Sequence, residues 1–151
     1  MAKRSSLPTS PELDDLLCFL VYSTGFAFNR VYRKPLERLG LTYPQYLVMV
    51  VLWAKDAQTV GQIGERLSLD TGTLTPLLKR LEALGMVARE RSPDDERRVI
   101  VKLTNKGRKL REEAGEVNRC IAEAVGMSED EIALLMNRMR ELRRRLEDAA
   151  A

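Results

Sequence analysis

Three times beyond Gly40 a Ser or Thr is followed three residues later by Gln or Glu. The sets are Thr42-Tyr43-Pro44-Gln45, Thr59-Val60-Gly61-Gln62 and Ser128-Glu129-Asp130-Glu131. Such a pair forms a capping box, in which the hydroxyl and the longer side chain each satisfy one orphan backbone N–H. Each box fixes a helix start, so three of them commit much of the chain to helix. The box at Thr42 decides the run Tyr46 to Ala54, which composition alone would allow as a strand, in favour of a buried helix. The box at Thr59 opens a short helix with Val60, Ile63 and Leu67 as its apolar positions. The box at Ser128 opens a last helix with Ile132, Leu135, Met136, Met139, Leu142 and Leu146 on one face.

The remaining elements follow from periodicity and punctuation. Glu12 to about Arg33 reads as a long apolar helix, its end marked by Pro35 and Gly40. Ser68-Leu69-Asp70 is a tight connection into a helix striped by Leu74, Leu77, Leu78, Leu81 and Leu84 and stopped at Gly85. Thr75-Pro76 resembles a cap and a first helical residue, so this helix starts either at Thr75 or near Asp70; the earlier start is favoured. Met86 to Arg91 and Arg98 to Leu103 read as strands around the charged turn Ser92 to Arg97. Asn105 to Val125 is helical, with a heptad-like seam of Leu110, Ala114, Val117, Ile121 and Ala124.

Composition narrows the chemistry. A chain of 151 residues, 44% hydrophobic, suits one domain with a real core. No apolar run approaches the ~20 residues of a membrane span. Residues 1–11 are polar, lack a signal-peptide core and read as a flexible arm, so a cytoplasmic location without membrane contact is expected. The absence of histidine excludes His-based triads and His metal sites. Two cysteines alone do not close a zinc site, and neither metal nor cofactor is expected.

Charge is unevenly placed. Thr59 to Arg111 holds 12 Lys/Arg against 7 Asp/Glu, leaving this stretch at +5 and the rest at −2 in a chain of net +3. A short helix, a tight turn, a leucine-striped helix and a basic hairpin make a mainly α fold with a small β wing, a winged helix-turn-helix. The leucine stripe anchors the second helix, so its other face, with Gly72, Thr73, Thr75, Pro76, Lys79, Arg80 and Ala83, must point outward. Small residues let backbone approach a groove, and Thr, Lys and Arg reach phosphates and base edges. The bland alternative is an ordinary solvated helix face. At the hairpin tip Arg97 or Arg98 suits a narrow minor groove, with one of the neighbouring acids bracing an arginine.

The stretch Leu69-Asp70-Thr71-Gly72-Thr73-Leu74-Thr75-Pro76-Leu77-Leu78-Lys79-Arg80-Leu81-Glu82, with Asp95-Glu96-Arg97 and Leu103-Thr104-Asn105-Lys106-Gly107, resembles the MarR family of dimeric bacterial repressors. With Leu17-Cys18-Phe19 it is similar, more narrowly, to the OhrR type that senses organic hydroperoxides, in its two-cysteine form. The resemblance runs from about Leu13 to Leu146. It implies one domain over 12–151, with a DNA-binding lobe at 43–104 and dimerisation helices at 12–40 and 105–147. It also implies a homodimer on a pseudo-palindromic double-stranded operator, with Asp70, Thr71, Thr73 and Arg80 at the major groove and Asp95 positioning Arg97 on the wing. Thr71 stands where relatives often have Ser.

Cys18 has two readings. A Cys in an apolar run is commonly a small core residue. A peroxide sensor instead needs a stabilised thiolate, and no Lys or Arg lies within a turn of Cys18. That leaves helix geometry and phenols: Tyr22 one turn away, and Tyr32 on nearly the same face but about 21 Å along a straight helix. Tyr32 therefore serves Cys18 only from a second subunit, and the resemblance implies that Tyr32 and Tyr43 do this. Cys120 is either a small residue flanking a helix seam or a resolving thiol that closes a disulfide with an oxidised Cys18. By resemblance, that bond joins subunits. The expected function is a non-enzymatic repressor that leaves its operator on Cys18 oxidation. The alternatives are a repressor released by a small phenolic ligand, with Cys18 structural, and a thiol peroxidase using both cysteines.

Overall fold

The computed structural model describes residues 12–151; the arm expected at 1–11 lies outside the described residues. A 3-10 turn at Leu13–Asp15 precedes α1 (Leu17–Leu39), α2 (Tyr43–Ala54), β1 (Gln58–Thr59), α3 (Val60–Leu67), α4 (Thr71–Ala83), β2 (Val87–Arg91), β3 (Val99–Leu103), α5 (Asn105–Val125) and α6 (Glu129–Ala150). The strands form one antiparallel sheet in the order β1-β3-β2, with Val87 opposite Leu103 and Arg91 opposite Val99. This is a mainly α chain with a winged helix-turn-helix at its centre. It falls into two compact units, one ending at Val117 and one from Asn118 to Ala151, with the division inside α5.

The capping boxes sit where the sequence places them, at Thr42, Thr59 and Ser128. The Gln45 side chain accepts from Thr42 N at 2.9 Å and Gln62 from Thr59 N at 2.9 Å. The first helix differs from expectation. It starts after the 3-10 turn rather than at Glu12, and it runs through Pro35 to Leu39. Proline removes one ladder hydrogen bond, but the last turn carries Leu36 and Leu39, 1% and 7% exposed. Burying those leucines offsets the lost bond. Gly40, at φ 68, ends the helix, with Leu41 N donating to Leu36 O at 3.1 Å.

The helix around Pro76 starts early. Asp70 is its cap, accepting from Thr73 N at 2.8 Å. Leu74, Leu78 and Leu81 are at most 1% exposed, and each such leucine contributes roughly 1.5–3 kcal/mol. The stripe is narrower than the sequence suggests. Leu77 is half-buried, and Leu84, beyond the last helical residue, is 38% exposed. The hairpin strands match expectation, but β1 was not anticipated. Its two residues pair Gln58 with Val101 and Thr59 with Ile100.

The Leu103-Thr104-x-x-Gly107 motif has a local explanation. The Thr104 hydroxyl donates to the Gly85 carbonyl at 2.6 Å and accepts from Gly107 N at 3.0 Å. A Cβ on Gly107 would stand 2.1 Å from the Met86 oxygen. Only glycine allows this approach of α5 to the end of α4. Of the α5 seam, Leu110, Ala114 and Val117 are buried, Ile121 is half-buried and Ala124 exposed. In the second unit, α6 exposes Leu134, Leu135, Met136, Met139 and Leu146 by 41–61%. Its Glu141 bonds Arg144 and Arg145 and is pulled down to about 2 by them. Among the described residues no helix is long and apolar enough to cross a membrane.

Candidate nucleic-acid interface and thiol site

The outward face of α4 is as the leucine anchor requires. Thr71, Gly72, Thr73, Pro76, Lys79, Arg80 and Ala83 are exposed and Thr75 is half-buried. Asp70 is not idle there. Its carboxylate also accepts from Thr73 Oγ1 at 3.1 Å, and the Thr73 backbone bond, followed by this one, holds its pKa below the ordinary aspartate range. Its first task is to cap α4 and orient Thr73. The Thr75 hydroxyl donates to Thr71 O at 2.7 Å.

Asp95 braces the wing tip. It accepts from Arg97 Nε and Arg97 N, both at 3.1 Å, and Arg98 Nε lies 3.6 Å away. The Arg97 bond is the largest cause lowering Asp95's pKa. The Arg97 side chain is 92% exposed, so the brace points it outward without covering it. Thr71, Thr75 and Arg97 line one groove of about 580 Å³, together with Thr59, Gln62, Arg89 and Arg98. Lys79 and Arg80 are not among its lining residues and lie further along α4. Arg97, Arg98 and the hydroxyls suit a phosphate backbone, while Glu65 also lines this groove and Arg89 is paired with Glu82.

Arg89 was missed by the sequence reading. Its Nη2 and Nε donate to Glu82 Oε2 at 2.6 and 3.0 Å, and its backbone N to Oε1 at 3.3 Å. This clamp ties the last turn of α4 to the first wing strand. Glu82 and Arg89 are unremarkable on their own elements, and only the turn at Gly85 brings them together. Asp56 was missed for the same reason. Its Oδ1 accepts from Leu103 N at 2.8 Å and its Oδ2 from Arg108 Nη1 at 3.0 Å. It thereby joins the end of α2 to the wing root and the start of α5.

Cys18 is the second residue of α1 and is exposed. It is not a core residue of the single chain. Around it α1 also exposes Leu17, Leu20, Val21 and Tyr22. Tyr22 packs edge-on against Phe26, with ring centroids 4.6 Å apart. Tyr32 and Tyr43 do come together, their centroids 4.6 Å apart, with Tyr46 at 5.9 Å from Tyr32. Both line a cleft of about 650 Å³ with Gly25, Phe28, Asn29 and Leu36. Burial, then the neighbouring Tyr43 and Tyr46, push Tyr32 up to about 12. Tyr43 and Tyr46 are raised as well, mainly by burial. These phenols stay protonated and available as donors. Cys120 is half-buried on α5. Among the described residues no cluster of three His, Cys, Asp or Glu is placed to hold a metal ion.

Residues 30–114 match the family described as Transcriptional regulator SarA/Rot. The HTH-type transcriptional regulator TtmR of Methylorubrum extorquens (strain PA1) is 48% identical over 131 residues, 87% of this chain and 67% of that one. The Organic hydroperoxide resistance transcriptional regulator of Bacillus subtilis (strain 168) is 44% identical over 106 residues, 70% of this chain and 72% of its own. The structure of reduced AbfR bound to DNA superposes with a TM-score of 0.80 at 36% identity, covering 92% of this chain and 95% of that one. The structure of disulfide-formed AbfR has a TM-score of 0.63 at 38% identity, covering 86% and 91%. Identity of this size along most of both chains, on the same winged architecture, leaves one assignment: the chain belongs to the MarR/SarA family of transcriptional regulators.

Proposed function

We propose that this regulator is a homodimeric repressor that releases a pseudo-palindromic DNA operator when an organic hydroperoxide oxidises Cys18. The carrying observation is the separation of the thiol from the phenols. Cys18 and Tyr32 are fourteen residues apart on one continuous helix, about 21 Å at helical rise. The cleft over Tyr32 and Tyr43 is open, and Cys18 is exposed on an apolar helix face. A second copy laid against that face joins the two halves of the site and removes the face from water. On this reading residues 12–40 and 105–147 pair the protomers, and residues 43–104 read DNA. Thr71, Thr73, Lys79 and Arg80, positioned by Asp70, serve the major groove. Thr75 lines the adjoining groove and Arg97, held by Asp95, serves the minor groove.

The chemistry balances with hydroperoxide as the only oxidant. The Cys18 thiolate, accepting from phenol hydroxyls, attacks the terminal peroxide oxygen. The O–O bond breaks, sulfur loses two electrons to become sulfenic acid, and the alkoxide leaves as alcohol after taking a proton. The Cys120 sulfur then attacks the Cys18 sulfur. An S–S bond forms, the S–O bond breaks, and water departs with the thiol proton. The relatives support this reading: one is named for organic hydroperoxide resistance, and AbfR has a disulfide-formed structure.

The test uses the duplex that the reduced protein selects from a random pool. Cumene hydroperoxide should release the wild type and leave Cys18→Ser bound, and non-reducing electrophoresis should show a reducible band of doubled mass that Cys120→Ser lacks. Release of Cys18→Ser by peroxide overturns the reading. The cleft also favours a second reading, in which a small phenolic ligand sits on Tyr32 and Tyr43. In that case such a ligand releases Cys18→Ser as readily as wild type, and dithiothreitol makes no difference.

A further inference from the structure

One group lies beyond this account: Trp53, the chain's single tryptophan. The Tyr32 ring, paired with Tyr43 in the cleft, lies 5.9 Å from Tyr46. Tyr46 is 4% exposed and meets Trp53 edge-on at 6.1 Å, one heptad along α2. Trp53 Nε1 donates to the Gly107 carbonyl at 2.8 Å. Gly107 is the residue packed against the Met86 carbonyl, with its N–H held by Thr104. Thr104 in turn bonds Gly85, just past the end of α4. A chain of packed rings thus runs from the cleft to the joint where α4, the wing and α5 meet.

We propose that Trp53 is the positioning residue that carries the state of the Tyr32–Tyr43 cleft to this joint. It rests on the reading that these phenols hold the partner's Cys18. Close-packed interiors shift between discrete arrangements rather than deform continuously. When the sulfur at Tyr32 gains oxygen or leaves for a disulfide, the Tyr32 ring moves. Tyr46, walled in by the core, passes that movement to Trp53. The indole N–H gives this ring chain a polar link to Gly107, and glycine gives the joint no side chain to absorb the shift.

Trp53→Phe keeps a ring and deletes that bond. Three quantities are measured for it and for wild type: the rate of Cys18 oxidation by stoichiometric cumene hydroperoxide, the Kd of the reduced protein for the selected duplex, and the Kd after oxidation. The expected result is unchanged Cys18 oxidation and a ratio of oxidised to reduced Kd lowered by about fivefold or more. A merely structural role weakens both Kd values alike and leaves the ratio within about twofold of wild type, which overturns the proposal. If wild type itself keeps its DNA after oxidation, the underlying reading fails, and this proposal with it. Should Trp53→Phe not fold, the emission of Trp53 in the wild type decides. It must change on oxidation and stay constant in Cys18→Ser; constancy in both overturns the proposal.

Discussion

Glu82 and Arg89 stand on opposite sides of the turn at Gly85 and are joined by a forked ion pair, Arg89 Nη2 and Nε donating to Glu82 Oε2 at 2.6 and 3.0 Å. The pair sets the angle between α4 and the wing, because both ends sit on rigid elements. The Arg89 bond is the main cause holding Glu82 below the ordinary glutamate value of 4.5. A carboxylate depressed on folding stabilises the fold above its unfolded pKa and loses that contribution as pH falls through the folded one. Urea midpoints should therefore decline as pH drops below 4.5, and Glu82→Gln should flatten part of that decline. A double-mutant cycle with Arg89→Gln on DNA affinity should show coupling between the two sites; strict additivity would deny the clamp a role in geometry.

Two glycines on α5 should respond with opposite sign to the same substitution. Gly107→Ala puts a Cβ 2.1 Å from the Met86 oxygen and 3.0 Å from its carbon, both backbone atoms that cannot step aside cheaply. The expected cost is about 2–4 kcal/mol, on the scale of severe overpacking. Gly115→Ala meets nothing within 4 Å and should gain about 0.5–1 kcal/mol from lower unfolded-chain entropy. Urea unfolding at matched protein concentration checks both, and equal behaviour of the two would mean the α4–α5 joint is looser than its distances say.

What could be read in advance follows the range of the interaction. Thr42, Thr59, Ser128 and Asp70 announce helix starts because each cap is made to a backbone N–H only three residues away. A brace between one of the wing acids and an arginine was legible at the same short range, while the choice of Asp95 and Arg97 came from the family resemblance. Pro35 misled, because the local rule ends a helix there while the tertiary burial of Leu36 and Leu39 carries it on. The strand at Gln58–Thr59 has no alternation to detect. It is extended because β3 offers it an edge and because the buried Gln58 side chain donates to Val51 O at 3.1 Å. Trp53–Gly107, Asp56–Leu103 and Asp56–Arg108 join residues roughly fifty apart in sequence. No periodicity in one sequence encodes such pairs. That Tyr32 and Tyr43 serve one thiol was implied by family resemblance alone; spacing gave only the distance that keeps Tyr32 from its own Cys18, and the packing of the two rings was not foreseen.

The buried phenols predict an alkaline limit. An ordinary tyrosine ionises near 10; Tyr32 is raised to about 12, first by burial and then by Tyr43 and Tyr46. The unfolded chain releases these protons more readily than the folded one. Stability linked to Tyr32 is therefore complete below pH 10 and is lost as pH climbs from 10 toward 12. Tyrosinate absorbance should rise late, and Tyr32→Phe should shift alkaline unfolding to higher pH. The same variant should slow peroxide-driven DNA release by about tenfold, the scale of one lost charge-assisted hydrogen bond, while reduced-state affinity holds. An unchanged release rate would separate Tyr32 from the thiol chemistry.

The wing tip separates charge from placement. Arg97 is almost fully exposed, yet Asp95 fixes both its Nε and its backbone N at 3.1 Å. Arg97→Ala removes the cation itself. Affinity should fall by about tenfold or more, and the dependence of log K on log salt should flatten by about one unit per protomer. Asp95→Asn leaves the cation but takes away the carboxylate that aims it. Affinity should then fall by a smaller factor with the salt slope retained, because the same number of counterions is released from the DNA. The Arg97 bond keeps Asp95 ionised to below the ordinary aspartate value of 3.8, so the brace persists across neutral pH and this part of the affinity should not vary there. Fluorescence anisotropy against the selected duplex over a series of salt concentrations distinguishes the two variants. If Asp95→Asn flattens the slope as much as Arg97→Ala does, the acid is acting on the charge of the wing and not on its aim.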